Sequence, residues 1–296
     1  MKSRTSTIVV VFVLTVAFFA AAFPAIRAAE TGFSPSSIVL LRAILATAGL
    51  AVLAVIMRVS LRMPWRDLLL AALIGQLGIS MFQWVLNSAI ALTSTGVAST
   101  LVNTAPLISL LLSAIFLREV IPVLRWVGVG ISFIGIYLLG TSDGVTSPLG
   151  VLLLIIAAVS LGTYSVALKP LLRRQHPLAV TFHGTWPGII LFAWATPQVL
   201  TEVDTAPTSA WVGVFVLAIV VTCGAYVLLA RLLQLLPVSR VALYYYLVPP
   251  VAIGYSMILF DEIPTAREVF GVVIAIAGVA LALSAKAPQA KTPLAR

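Results

Sequence analysis

One segment of the chain returns, weakened, half a chain later, and this repetition constrains the fold more than any single motif. Residues 95–139 align with residues 238–282 at a constant offset that lays Pro106 on Pro249, Asn103 on Tyr246, Glu119 on Glu262, Gly128 on Gly271 and Gly135 on Gly278. Repetition on this scale divides the protein into two halves of similar length. If each half crosses a membrane an odd number of times, the second half is inverted relative to the first, an arrangement that many secondary transporters share.

Composition identifies the solvent in which those halves fold. Hydrophobic residues make up 61% of the chain and charged residues 9%, with a mean hydropathy of +1.14. Soluble domains carry roughly a quarter charged residues, so the chain reads as an integral membrane protein. A net charge of +9 does not point to nucleic acid, because the cations sit in short loops between apolar runs rather than in one patch or arm. The single cysteine, Cys223, excludes an intramolecular disulfide and a cysteine-rich metal site, and it reads as a small packing residue.

Helix-length apolar runs are predicted over 7–28, 36–57, 67–91, 94–117, 123–141, 149–170, 178–199, 210–233, 238–260 and 266–284. They are too long, and alternate too little, for barrel strands. The expected fold is therefore an all-α integral membrane protein of ten transmembrane helices, arranged as two inverted five-helix repeats. The first repeat occupies 1–142, a connecting loop 143–148, the second repeat 149–284 and a basic tail 285–296. Lys2 and Arg4 ahead of an apolar run resemble a signal peptide, but the run exceeds a peptide's usual core, so the segment reads as a retained first helix. With the N-terminus in the cytoplasm, all of the 18 cations except Arg27, Arg42 and Arg267 fall on the cytoplasmic side, which predicts that both termini lie there. Most acidic residues fall on the other side, with Asp67 and Glu119 as the exceptions.

Several motifs together resemble the EamA-type drug/metabolite transporter superfamily. They are Phe23-Pro24 near the end of the first helix, Leu41-Arg42 in the second, and Pro106 with a terminal Glu119 in the fourth, followed by a glycine-rich fifth. The run GVLLLIIAAVSLGTYSV from Gly150, with Pro249, Glu262, Gly271 and Gly278, is similar to that family's second repeat. The resemblance covers about residues 8–284. It implies a ten-helix carrier of the bacterial inner membrane, a class with many exporters of amino acids or related metabolites.

The solute path is expected where polar atoms line one helix face, because polar groups facing lipid are costly. Gln76, Ser80, Gln83 and Asn87 form such a face on the third helix, with Trp84 beside it. Ser99, Asn103 and Ser113 do so on the fourth, Tyr246 and Ser256 on the ninth, and Tyr164 and Tyr226 add hydroxyls from the sixth and eighth. Gln83, Trp84, Asn87, Asn103, Tyr164, Tyr226 and Tyr246 are the candidate solute contacts, and their neutral, aromatic lining suggests a small neutral or zwitterionic solute. Pro106 and Pro249 are candidate hinges, since proline removes a helix hydrogen bond. Arg42 is a candidate carboxylate contact, or else a structural residue paired with Glu30 or with carbonyls. His183 is a candidate proton contact, or else a hydrogen-bonded core histidine beside Trp186. Small residues at Gly128, Ser132 and Gly135, matched by Gly271, Ala275 and Gly278, predict close helix packing within one chain or across a homodimer.

No mid-membrane carboxylate offers a proton relay, no ATP-binding pattern is present, and no cofactor or metal is called for. The expected function is secondary transport, the export of amino acids or similar small metabolites by alternating access, with the bilayer and a small solute as partners. The alternatives are a carrier of another solute class, such as a drug, sugar or nucleotide sugar, and a membrane-embedded enzyme acting on lipid or acyl groups. Two histidines and one isolated cysteine supply such an enzyme with neither a nucleophile–base pair nor a metal-ligand set.

Overall fold

The computed structural model describes residues 2–90, 92–93, 101–139, 147–260 and 263–285. Ser99, Asp261, Glu262, most of the expected joint and the basic tail beyond Ala285 lie outside the described residues. Among the described residues there is no strand, and seven helical stretches are long and apolar enough to cross a membrane. These are α1 (Ser6–Ala29), α2 (Pro35–Ile56), α3 (Trp65–Ala89), α6 (Pro148–Leu172), α8 (Thr208–Leu235), α9 (Val238–Leu259) and α10 (Ala266–Ser284). Two shorter apolar helices, α4 (Ala105–Phe116) and α5 (Val123–Leu139), fall within the expected fourth and fifth spans. The expected seventh span is bent by 50°, with α7 (Pro177–Leu191) turning into a continuation over Ala193–Val203.

Local chemistry sets the helix ends. The Ser34 hydroxyl accepts from the Ser37 N–H at the start of α2, with Pro35 in the first turn, where its missing donor has no consequence. Thr265 and Glu268 satisfy each other's backbone donors in a capping box at the start of α10. After α2 and α4 the chain stops in left-handed turns at Arg58 (φ 54°) and Arg118 (φ 52°), which places cations beside helix C-termini. Large apolar side chains such as Val55, Ile56, Phe116, Val123, Ile190 and Ile258 remain exposed on the outer surface, as contact with lipid requires.

The two prolines expected as mid-helix hinges start helices instead. Pro106 and Pro249 each occupy the second position of a helix, the first beginning at Ala105 and the second, within α9, at Val248. A turn at Asn103–Thr104 precedes one, and a 3₁₀ stretch over Ala242–Tyr246 precedes the other. The helical break therefore lies just before each ring, where a proline costs no ladder bond.

The small-residue stripes of α5 and α10 meet each other within this chain. A Cβ on Gly128 would stand 2.6 Å from the Gly278 carbonyl oxygen, and one on Gly135 would stand 2.6 Å from that of Gly271. The early residue of each helix thus faces the late residue of the other, so the two helices run antiparallel. Between these contacts the Ser132 hydroxyl shares its one proton between Gly128 O in its own turn (2.9 Å) and Ala275 O across the pair (3.1 Å). Close backbone approach replaces the absent hydrophobic driving force here. Gly278→Leu is expected to destabilise the protein by about 1–3 kcal/mol through overpacking. Gly254→Ala, where a Cβ meets nothing within 4 Å, should be neutral. Thermal unfolding of the two variants in nanodiscs tests this, and equal melting temperatures would contradict it.

Candidate functional site

Three spaces lie in series along α2 and α3. At the end that carries Glu30 and Glu202, a cleft of about 650 Å³ is lined by Pro35 of α2 and Asn87 of α3. At the arginine-rich end, a cleft of about 980 Å³ is lined by Ala51, Ala54 and Val55 of α2, by Leu68 of α3 and by His183 of α7. Between them a pocket of about 10 Å³ is lined by Val39, Arg42 and Ala43 of α2, by Ile79, Ser80 and Gln83 of α3, by Thr185 of α7 and by Thr222 of α8. That volume holds about one water, so the two clefts are separated. From Leu68 to Asn87 the path along α3 is about 28 Å at the helical rise, close to the thickness of the bilayer's hydrocarbon core.

Both longer helices at the central pocket depart from regular α geometry there. The helix over Trp65–Gly78 ends at Ile79 (φ −115°, ψ −85°) and restarts at Ser80. Residues Val216–Ala225 of α8 form a π-helical stretch. Ile79 and Thr222 both line the pocket, and the repeat offset that pairs Pro106 with Pro249 also pairs these two positions. π-helical turns frequently mark functional sites, and non-α backbone at membrane depth is tolerated where it is buried in protein or lines a cavity.

Arg42 is the charge at the centre. It is 4% exposed, and its Nε donates to Thr222 Oγ1 at 2.7 Å, while Thr222 donates to Leu217 O at 2.9 Å. Its Nη2 is buried with no hydrogen-bond partner, and among the described residues no ion pair reaches it. The expected pairing with Glu30 or with carbonyls is thus replaced by a hydroxyl on the second half. An uncompensated buried charge costs several kcal/mol, so it needs a reason other than stability. A cation with a spare donor facing a polar pocket is suited to receive an anionic group.

The other candidate residues separate into groups. Gln83 lines the pocket with Arg42 and sits beside the Tyr226 hydroxyl, which donates to Gly78 O at the break in α3. The Tyr164 ring packs on the same glycine, where a Cβ would stand 2.3 Å away, and lies 6.1 Å from the Tyr226 ring. Asn87 belongs to the acidic-end cleft, is 4% exposed, and leaves its Oδ1 unpartnered. Trp84 is half-buried against Phe192, with ring centroids 6.1 Å apart, and lines none of the three spaces. Asn103 lies in the turn before α4. Tyr246 is fully buried in a separate apolar cluster with Leu110, Val129, Ile136 and Val279. His183 uses both ring nitrogens. Nδ1 accepts from Trp186 Nε1 at 3.2 Å, which leaves Nε2 to donate to Leu61 O at 2.8 Å.

Sequence reasoning missed the contacts that fasten the halves. The Glu119 carboxylate accepts from the N–H groups of Val238 (2.8 Å) and Ser239 (3.0 Å), so it caps the start of α9 in the other half. Asp67 pairs with Arg174 at 2.7 Å and accepts from Gln175 at 2.6 Å. Within the second half, Lys169 of α6 donates to Leu236 O at 2.6 Å and to Leu233 O, at the end of α8. At the opposite end the Ser34 N–H donates to Glu202 Oε1 at 3.2 Å. The departure of Asp67 and Glu119 from the general charge bias was the available signal for two of these contacts.

Comparison with known proteins agrees with this architecture. The sequence profile of the EamA-like transporter family matches twice, over residues 6–141 and 148–284. The chain is 30% identical over 282 residues to the "Uncharacterized transporter YdfC" of Bacillus subtilis, covering 94% of this chain and 92% of that protein. It is 32% identical over 281 residues to the "Probable terminal-alkyne amino-acid exporter" of Streptantibioticus cattleyicolor, with 94% of each chain covered. An "Uncharacterized transporter" of Archaeoglobus fulgidus is 28% identical over 274 residues, covering 91% of this chain and 96% of that one. A solved crystal structure shares the fold with a TM-score of 0.76 at 18% identity, covering 94% of this chain and 96% of that one.

If Thr222 serves chiefly as the acceptor for Arg42, Thr222→Val should cost about 1–3 kcal/mol, because it strands a buried charged donor. The same substitution in an Arg42→Met background should cost far less. Chemical denaturation of the four proteins in this double-mutant cycle measures the coupling, and strict additivity would contradict the assignment.

Proposed function

The chain belongs to the EamA-like transporter family, and from that premise we propose that it is a secondary transporter that exports amino acids or similar small metabolites by alternating access. In this reading the protein lies in a bacterial inner membrane with both termini in the cytoplasm, and its ten helices form two inverted five-helix repeats. The repeats occupy 1–142 and 149–284, joined by a short loop and followed by a basic tail. The family's two matched stretches support that division, and so does the antiparallel contact of α5 with α10. Those small-residue faces are occupied by each other, so the reading needs no homodimer.

The observation that carries the proposal is the buried, partly unpartnered Arg42 in a small pocket between two larger clefts, at the point where α3 and α8 both leave α geometry. Discontinuous helices near the midplane are where secondary transporters bind their cargo. Arg42 receives the solute's carboxylate, Gln83, Tyr226 and Tyr164 orient the rest, and Asn87 meets the solute at one end of the path. Asn103, Trp84 and Tyr246 influence transport through the packing around the path, and His183 acts as a hydrogen-bonding residue that ties Trp186 to Leu61. The breaks before Pro106 and Pro249 serve as the flexible points. Opening an end requires release of the contacts that close it, those of Glu119 and Asp67 at one end and that of Glu202 at the other.

An amino acid as solute is supported by the polar lining and by the name of the Streptantibioticus relative. The rival reading, a membrane enzyme on lipid or acyl groups, finds no support in the names of the relatives. In proteoliposomes containing only the purified protein, a panel of radiolabelled amino acids is expected to show saturable, competable uptake for at least one member. Arg42→Met should reduce that flux at least tenfold while the protein still folds, since an apolar isostere relieves the buried charge. Lipid turnover without solute movement, or full flux in Arg42→Met, would overturn the assignment.

A further inference from the structure

The cleft at the acidic end presents hydrogen-bond acceptors on almost every side chain whose bonding is defined. Glu30 and Glu202 line it from the loop after α1 and from the continuation of α7, and Asn87 lines it from α3. Glu202 spends Oε1 on the Ser34 N–H, but its Oε2 is buried with no partner. Asn87 is 4% exposed and its Oδ1 has no partner either. The hydroxyl protons nearby are already donated, from Thr31 to Ala28 O at 2.7 Å, from Thr205 to Glu202 O at 3.3 Å and from Ser34 to Ser37 Oγ at 2.9 Å. What these hydroxyls still offer is lone pairs.

We propose that this cleft is a recognition site for an alkylammonium group of the solute, held by Glu30, Glu202 and Asn87. The inference rests on the transporter reading and narrows its solute class to amines and amino acids. An ammonium carries three donors and no acceptor, which complements a cleft of carboxylates, an amide oxygen and spent hydroxyls. Partial burial raises the Glu30 carboxyl above its usual range. The anchoring of α2 by Glu202 explains one carboxylate oxygen, but it does not account for the second, for Glu30 or for the buried amide.

The polarity also reverses along the path in a way that suits a dipolar solute. One helical turn from Asn87, about 6 Å at the usual rise, Gln83 shares the central pocket with Arg42, whose free Nη2 is a donor. Acceptors thus gather at the cleft, and the charged donor lies one turn deeper. A molecule carrying an amine and a carboxylate meets complementary groups in both places, whereas a simple carboxylic acid meets two carboxylates in the cleft.

The test uses the full-length protein in nanodiscs and three probes: 2-phenylethylamine, 3-phenylpropionate and L-phenylalanine. Thermal stabilisation is expected from the amine and the amino acid at concentrations where the acid gives none. Glu202→Gln, which keeps an oxygen for the Ser34 N–H, and Glu30→Gln should each weaken amine binding at least tenfold, while Asn87→Asp should strengthen it. Equal stabilisation by 3-phenylpropionate, by sodium chloride or by calcium chloride would overturn the proposal. So would unchanged amine affinity in both glutamine variants. Solute flux measured on the same preparations separates the two ideas. Amine binding without flux of any solute removes the transporter reading and leaves the site, whereas saturable flux with no preference for the amine removes the site alone.

Discussion

The guanidinium of Arg42, held in an apolar interior by one threonine hydroxyl, is the constraint around which the centre of the molecule is arranged. In hydrocarbon every polar group must find a partner inside the protein. Regular α-helices satisfy their own backbone groups but leave nothing for a side-chain cation. The break at Ile79 and the π stretch over Val216–Ala225 bring irregular backbone and hydroxyls to the same place. Gly78 then accepts the Tyr226 hydroxyl and the face of Tyr164, and glycines let α7 approach the same break. A Cβ on Gly188 would stand 2.1 Å from Ser80 Oγ, and one on Gly75 would stand 2.2 Å from the Gly184 carbonyl oxygen. Small residues thus remove bulk where a polar pocket needs walls close together.

Away from the centre, the halves are joined by contacts of a different kind. Glu119 and Glu202 direct carboxylates at backbone N–H groups at helix starts, where the partial charge of the helix favours them. Each charge-assisted bond contributes on the order of 1.5–3 kcal/mol, enough to bias a conformation and little enough to be exchanged for another set. The α5–α10 contact is built differently, from backbone packed against backbone with Ser132 bonding across it. Close packing of this sort is not easily sheared. In the proposed transport cycle it suits an element that stays fixed while the four helices around Arg42, α2, α3, α7 and α8, rearrange.

Much of this was legible in the sequence, because the bilayer imposes period and polarity directly on the chain. The apolar runs located the helices, and the coincidence of Gly128 and Gly135 with Gly271 and Gly278 located the tightest helix pair. Two members of the polar stripe on α3, Gln83 and Asn87, line two spaces in series along it. The π stretch was not legible. Val216–Ala225 is uniformly apolar apart from Thr222 and Cys223, and a change from four-residue to five-residue hydrogen bonding leaves no compositional trace. Tyr246 was read as lining the path because its repeat partner is Asn103, but a tyrosine also fills an apolar cluster well, and there it packs against Leu110 and Val279. The prolines were read as kinks because sequence gives their position in a span, not the register at which the helix resumes. The partners of Glu119 and Asp67 lie in the other half, beyond the reach of any local pattern.

The central claim is that the pocket around Arg42 communicates with each end of the path in turn. Ser80 lines that pocket and is 2% exposed, so a cysteine placed there in a Cys223→Ser background reports on it directly. Labelling by a membrane-impermeant thiol reagent, applied to sealed vesicles from one side and then from the other, measures its access. The account predicts labelling from both faces, with saturating solute slowing both. Labelling confined to one face under every condition, or absent from both while the protein still carries solute, would contradict it.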